Sequence, residues 1–114
     1  MPSSLPRVLV IGCGSIGERH VRTFLSTGPA SVVACDNRPA IRQDMTARYG
    51  VEAVADWIPV LQDPGVTSVV IATPATSHVE IARRRLEAGR HVLIEKPLSL
   101  DLAGIDELVA ARDR

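Results

Sequence analysis

The chain has 114 residues, of which 46% are hydrophobic and 23% charged, with thirteen basic and thirteen acidic side chains and a formal net charge of zero. That length suits a single domain over residues 1–114, able to bury roughly 60–70% of the surface an unfolded chain exposes. A balanced charge offers no excess of cations to release counterions from a polyanion, which argues against nucleic acid as a partner; no apolar run approaches the ~20 residues of a bilayer span, which argues against a membrane.

The N-terminal stretch Met1 to Arg7 has no apolar segment of the kind a secretory signal needs. Arg7 to Ile11 is a short β-branched run between Pro6 and Gly12 and reads as a strand. Ser15 to Leu25 reads as a helix, with Ile16, His20, Val21, Phe24 and Leu25 at helical spacing, stopped by Gly28-Pro29. Ser31 to Cys35 is a second strand. Pro39 to Tyr49 is a helix with proline in its first turn and Gly50 past its end. Val51 to Val54 suits a short third strand. Asp56 is expected to cap a helix through Leu61, ended by Asp63-Pro64-Gly65. Thr67 to Ala72 is the most continuous apolar burst and reads as a strand buried on both faces. Ser77 is expected to cap a helix to Ala88, closed by Gly89. His91 to Ile94 is the last strand, and Asp101 is expected to cap a final helix. Alternation of this kind predicts an α/β fold of the Rossmann type: a doubly wound parallel sheet of about five strands with helices on both faces.

Cys13 and Cys35 are far apart in sequence and lie in apolar settings. Their spacing suits neither a disulfide framework nor a metal site, so no metal is expected. They read as small buried hydrophobes in a reducing compartment, which points to the cytoplasm. The basic run Arg83-Arg84-Arg85 reads as the solvated face of a helix.

Gly12-Cys13-Gly14-Ser15-Ile16-Gly17 fits G-x-G-x-x-G. The pattern alone is weak, but here it falls between an expected strand and an expected helix within a βαβ unit. Gly12 permits the tight turn, Gly14 lets backbone approach a pyrophosphate, and Gly17 lets the helix pack closely on the strand. The helix N-terminus then offers free amides and partial positive charge to the phosphates. Asp36 lies nineteen residues past Gly17, where the fingerprint places the acid that accepts hydrogen bonds from the adenosine ribose. That carboxylate repels a 2′-phosphate and favours NAD over NADP. Asn37 and Arg38 extend the same loop. Arg38 leaves the cofactor preference open, because an arginine there can hold the phosphate, stack on adenine or sit in solvent.

Two further clusters, Ala72-Thr-Pro-Ala-Thr-Ser-His78 and Glu95-Lys96-Pro97, fall just past strand C-termini, where open α/β sheets bind ligands. Thr73 and Ser77 offer hydroxyls, and a second helix N-terminus follows. Equally, Pro74 and Pro97 can serve as punctuation, and Glu95 with Lys96 as an exposed ion pair worth about 0–1 kcal/mol.

Taken together, GCGSIGERH at 12–20, Asp36, ATPATSHVEIA at 72–82 and AGRHVLIEKPLS at 88–99 resemble the N-terminal domain of the Gfo/Idh/MocA oxidoreductases. The resemblance runs from Arg7 to about Leu108. It implies that residues 12–17 hold the pyrophosphate of NAD, or less readily NADP, and that Asp36 holds the adenosine ribose. It implies that Thr73, Pro74, Ala75 and His78 line the nicotinamide half, that Glu95 bonds the nicotinamide ribose or its neighbourhood, and that Lys96 is the active-site lysine at the substrate oxygen. His20 and His91 also fit the family pattern and read as structural histidines on packed elements. The implied activity is hydride transfer between nicotinamide and a hydroxyl or carbonyl of a sugar, polyol or similar small molecule. A non-catalytic dinucleotide sensor is the alternative, against which the presence of Lys96 counts. The family's larger second domain, which supplies most substrate contacts and a further proton-transfer residue, has no counterpart in these residues. The expectation is therefore cofactor binding without turnover by this segment alone, and a homo-oligomer is a further expectation.

Overall fold

In a computed structural model the described residues are 6–27, 31–73, 81–83, 89, 91–95 and 102–113. Five strands form one sheet: β1 (Arg7–Ile11), β2 (Ser31–Cys35), β3 (Glu52–Val54), β4 (Val66–Ile71) and β5 (His91–Ile94). Their order is β3-β2-β1-β4-β5, and every pairing is parallel. Between them run α1 (Ser15–Thr27), α2 (Pro39–Tyr49), a 3₁₀ turn (Pro59–Gln62) and, last, α3 (Ile105–Arg112). Residues 81–83 are also helical. No helix among the described residues is long and apolar enough to cross a membrane.

Strand alternation divides the core in two. Val8, Val10, Val32, Ala34 and Val70 face one side, where Val21 and Phe24 of α1 and Ile41, Met45 and Tyr49 of α2 cover them. Leu9, Ile11, Val33, Cys35, Val69 and Ile71 face the other, against Ile81, Ala82, Leu108 of α3 and Val60 of the 3₁₀ turn. The central strands thus bury both faces, which is why they read as unbroken apolar runs rather than alternating ones. The layering is the expected doubly wound one.

The helix boundaries follow local chemistry. Pro39 sits in the first turn of α2, where its missing amide costs nothing. Gly50 closes the helix in the left-handed region, φ 68°, and donates its N–H to the Thr46 carbonyl.

The sequence expectations need correction at four places. Asp56 does not open an α-helix: its Oδ1 accepts from the Ile58 amide, and only a 3₁₀ turn follows. Asp63, ahead of Pro64, turns extended (ψ 111°), so the helical stretch is only Pro59 to Gln62, long enough for no more than a 3₁₀ turn. The final helix begins at Ile105, after Gly104 takes a left-handed conformation with φ 78°; Asp101 lies outside the described residues. β4 starts at Val66, and Thr67 is an exposed extra residue at a register shift against β1, so only the second half of the strand is buried on both faces. His91 is exposed on β5 rather than packed. Of the expected Ser77–Ala88 helix, residues 81–83 are helical and the remainder lies outside the described residues.

Candidate functional site

The strand order reverses between β1 and β4, so the connections leaving these two strands run to opposite faces and open a crevice at their carboxyl ends. The loops there are fastened to neighbouring strands in one repeating way. Gly12 N–H donates to the Cys35 carbonyl, Asp36 N–H to Val54, Ala72 N–H to Ile11 and Glu95 N–H to Ile71, at 2.8–3.0 Å. Each of these residues is the first past a strand. The ladder therefore sets the height at which each loop leaves the sheet.

The glycine loop is built by sterics. Gly12 has φ +89°, and a Cβ there would come within 2.8 Å of the Thr73 amide nitrogen. A Cβ on Gly17 would collide with the Gly12 carbonyl oxygen; this is the close crossing of α1 over β1. Gly14 is different: a Cβ would meet only Arg38 Nη2, at 3.8 Å, and otherwise the space of the crevice. The loop bares its backbone at Gly14 to something other than the protein. The first hydrogen bond of α1 runs from the Glu18 amide to the Gly14 carbonyl. The amides of residues 15–17 precede it and project from the helix end, where anions bind. Ser15 and Ile16 are exposed at this end, whereas Gly17 is buried.

Cys13 has a different place from the one its loop position suggests. Its side chain is turned into the core, and its contribution is the backbone amide, which donates to Asp36 Oδ2 at 2.9 Å. Burial, reinforced by the Asp36 charge, pushes its thiol up to about 11. Burial does the same to Cys35, to about 12.

Asp36 is the sole buried charged residue among the described ones. Its Oδ1 accepts from the Arg38 amide and Arg38 Nε, and its Oδ2 from the Cys13 amide and Arg38 Nη2, all at 2.9 Å. These bonds, the Arg38 side chain foremost, outweigh desolvation and lower its pKa to about 2. Arg42 adds a bond from Nη1 to the Asp36 carbonyl at 2.9 Å. Arg38 thus spans the crevice mouth from Asp36 towards Gly14, with most of its length in solvent.

Between these groups lies a cleft of about 510 Å³, lined by Gly12, Gly14, Asp36, Asn37, Arg38 and Thr73 and floored by Ile11, Cys35, Ala72 and Ile81. Ala55 and Trp57 also line it, and sequence reasoning passed over both. The available signal was position: Trp57 is the chain's one tryptophan and lies just past a strand C-terminus. Glu95 stands beyond β5, where Oε1 accepts from His20 Nε2 of α1 at 2.5 Å. His20 is therefore paired across the strand ends rather than simply packed. Pro74, Ala75, His78 and Lys96 lie outside the described residues.

A cradle open at Gly14, helix amides at one side and a carboxylate at the other fit the pyrophosphate and ribose of a dinucleotide. Comparison with known proteins points the same way. Residues 6–114 match the family described as the Gfo/Idh/MocA oxidoreductase family, NAD-binding Rossmann fold. The chain is 33% identical over 99 residues to scyllo-inositol 2-dehydrogenase (NAD(+)) of Bacillus subtilis, covering 84% of this chain and 29% of that protein. Its fold is similar to that of the WlbA dehydrogenase from Bordetella pertussis in complex with NADH and UDP-GlcNAcA, with a TM-score of 0.84, 29% identity, and coverage of 96% of this chain and 34% of the other. A 3-ketoreductase from Actinomadura kijaniata in complex with NADP and TDP-benzene gives a TM-score of 0.80 and 34% identity, with the same coverage. The chain spans about a third of the length of these relatives. With its glycine loop, acid and strand order in place, the chain belongs to the Gfo/Idh/MocA oxidoreductase family, as its NAD-binding Rossmann-fold domain.

Proposed function

We propose that the chain is the cofactor-binding part of a dehydrogenase or reductase that acts on a hydroxyl or carbonyl of a sugar, polyol or similar small molecule. The observation that carries this reading is the backbone bared at Gly14, with nothing but the crevice and Arg38 Nη2 before it. The amides of residues 15–17 bind the pyrophosphate, and Asp36 accepts hydrogen bonds from the adenosine ribose as Arg38 yields its two side-chain bonds. Ala55, Trp57 and Asn37 wall the adenosine end. Thr73, with Pro74, Ala75 and His78, borders the nicotinamide half, and Glu95 takes the second ribose. When bound, the nicotinamide supplies the hydride chemistry. Lys96, the active-site lysine the resemblance implies, acts at the substrate oxygen, where an ammonium donates a hydrogen bond and steadies the proton that leaves or joins it. Lysine's reference pKa of about 10.4 makes it a poor base alone near neutrality, so a second proton-transfer group is needed, and the resemblance implies that it and most substrate contacts come from a second domain. The two buried free cysteines fit a cytoplasmic protein.

The cofactor preference proposed is NAD. Asp36 stays ionised at any working pH, and a 2′-phosphate set against it is repelled. Arg38 and Arg42 offset part of that repulsion, so the preference is one of degree. Isothermal titration of the chain with NADH and NADPH is expected to give the lower Kd for NADH. Equal or reversed affinities would show that the arginines, not Asp36, govern the pocket. The energy-transfer signal from Trp57 to bound NADH offers an independent readout.

A further inference from the structure

Two carboxylates stand past strand C-termini on opposite sides of the glycine loop. Asp36 follows β2 on one side, and Glu95 follows β5 on the other. Between β2 and β5 lie three strand spacings, about 14 Å. A dinucleotide has the same layout, with one ribose on either side of its pyrophosphate. Asp36 is held rigidly by four hydrogen bonds. Glu95 has a different support. Its backbone is pinned by donation to the Ile71 carbonyl at 3.0 Å, and its carboxylate, among the described residues, by one contact, from His20 Nε2 at 2.5 Å. His20 lies on α1 three residues past Gly17, so the helix whose first amides face the crevice also holds the acid that follows β5. Both side chains are mostly sheltered, with 21% and 33% of their surface exposed. The second oxygen of Glu95 accepts no hydrogen bond among the described residues.

We infer that His20 is a positioning residue for dinucleotide binding: it fixes Glu95 from α1 so that the remaining carboxylate oxygen meets the hydroxyls of the second ribose. This rests on the dinucleotide reading above. The imidazole removes one oxygen and the rotamer freedom of the glutamate, and leaves a single oriented acceptor. An unsupported glutamate would have to be ordered by the ligand itself, at the expense of affinity. The support acts only on the second nucleoside, because the adenosine half ends at Asp36, on the other side of the loop.

The test compares two probes on the 114-residue chain: NADH, which reaches both carboxylates, and AMP, which reaches only the adenosine side. His20→Ala is expected to raise the Kd for NADH about tenfold, a loss near 1.4 kcal/mol, with the Kd for AMP unchanged. His20→Gln keeps a side-chain N–H at a similar reach and is expected to restore most of the NADH affinity. Glu95→Gln and the double variant His20→Ala/Glu95→Gln are expected to bind NADH alike, since His20 acts only through Glu95. Equal weakening of NADH and AMP by His20→Ala would make His20 a structural residue of α1 and overturn the inference, as would an unchanged NADH affinity. Failure of the parent chain to bind NADH would remove the dinucleotide reading, and the inference with it.

Discussion

Gly14 and Gly17 sit three residues apart, yet a side chain at each would meet different things. At Gly17 a Cβ runs into the Gly12 carbonyl, a backbone atom that cannot turn aside. Gly17→Ala should therefore cost about 3 kcal/mol of folding stability or more, read as a shifted midpoint in urea unfolding. At Gly14 the side chain enters the crevice. Gly14→Val should keep stability within about 0.5 kcal/mol of the parent while raising the NADH Kd about 100-fold, a loss of roughly 3 kcal/mol. Near-normal NADH affinity in that variant would reduce the loop to a turn. Asp36 makes a pH prediction. Its folded pKa, about 2, lies below the ordinary 3.8, so its contribution is present above pH 4 and is lost as pH falls through 2. The shift corresponds to roughly 2 kcal/mol. Urea midpoints of the parent and Asp36→Asn should differ most at pH 5–7 and converge towards pH 2; a gap that persists at pH 2 would show that the aspartate acts by packing and not by charge.

At the level of elements, the loop leaving β1 and the end of β2 carry the two thiols that sequence reading treated as hydrophobes. Cys35 faces the α3 side of the sheet, and Cys13, just past β1, faces the α1 side. Both are nearly inaccessible, and burial raises both thiol pKa values, to about 12 and 11. Thiolate is the reactive form. In native chain at pH 8, Ellman's reagent should therefore react with neither, and with both once denaturant is added. Reaction of a thiol in the folded state would indicate opening of the glycine loop or of the β2 end. The raised values also mean that these groups support the fold below pH 9 and cease to do so as pH rises through 11 to 12.

For the molecule as a whole, β5 forms one edge of the sheet and pairs only with β4 among the described residues. Leu93 on that strand is 50% exposed, and Leu102 nearby in sequence is 86% exposed. Exposed apolar side chains, one of them on an edge strand, favour association. Sedimentation velocity is expected to show concentration-dependent self-association of the 114-residue chain, weakened by Leu93→Lys. A clean monomer at high concentration would contradict this.

The sequence by itself determined the five strands and the class of site. Five short β-branched runs alternating with helical segments sufficed for a parallel sheet, because each run is bounded by glycine, proline or a cap. G-x-G-x-x-G between a strand and a helix, with Asp36 nineteen residues on, sufficed to locate the crevice, because the backbone geometry that a phosphate requires restricts which residues can stand there. What sequence could not supply were facts of distance between remote residues. Local backbone choices also lay beyond it: the extended Asp63 limits the segment after Asp56 to a 3₁₀ turn, and the left-handed Gly104 delays α3 to Ile105. That Cys13 turns inward while its amide serves Asp36, that Arg38 closes on Asp36 from two residues away, and that Trp57 lines the cleft follow from how the loops leave the sheet. The contact between His20 and Glu95 joins residues 75 positions apart. Neither residue's local sequence encodes it; it exists because the order β1-β4-β5 sets the end of β5 two strands from β1, where Glu95 meets His20 of α1.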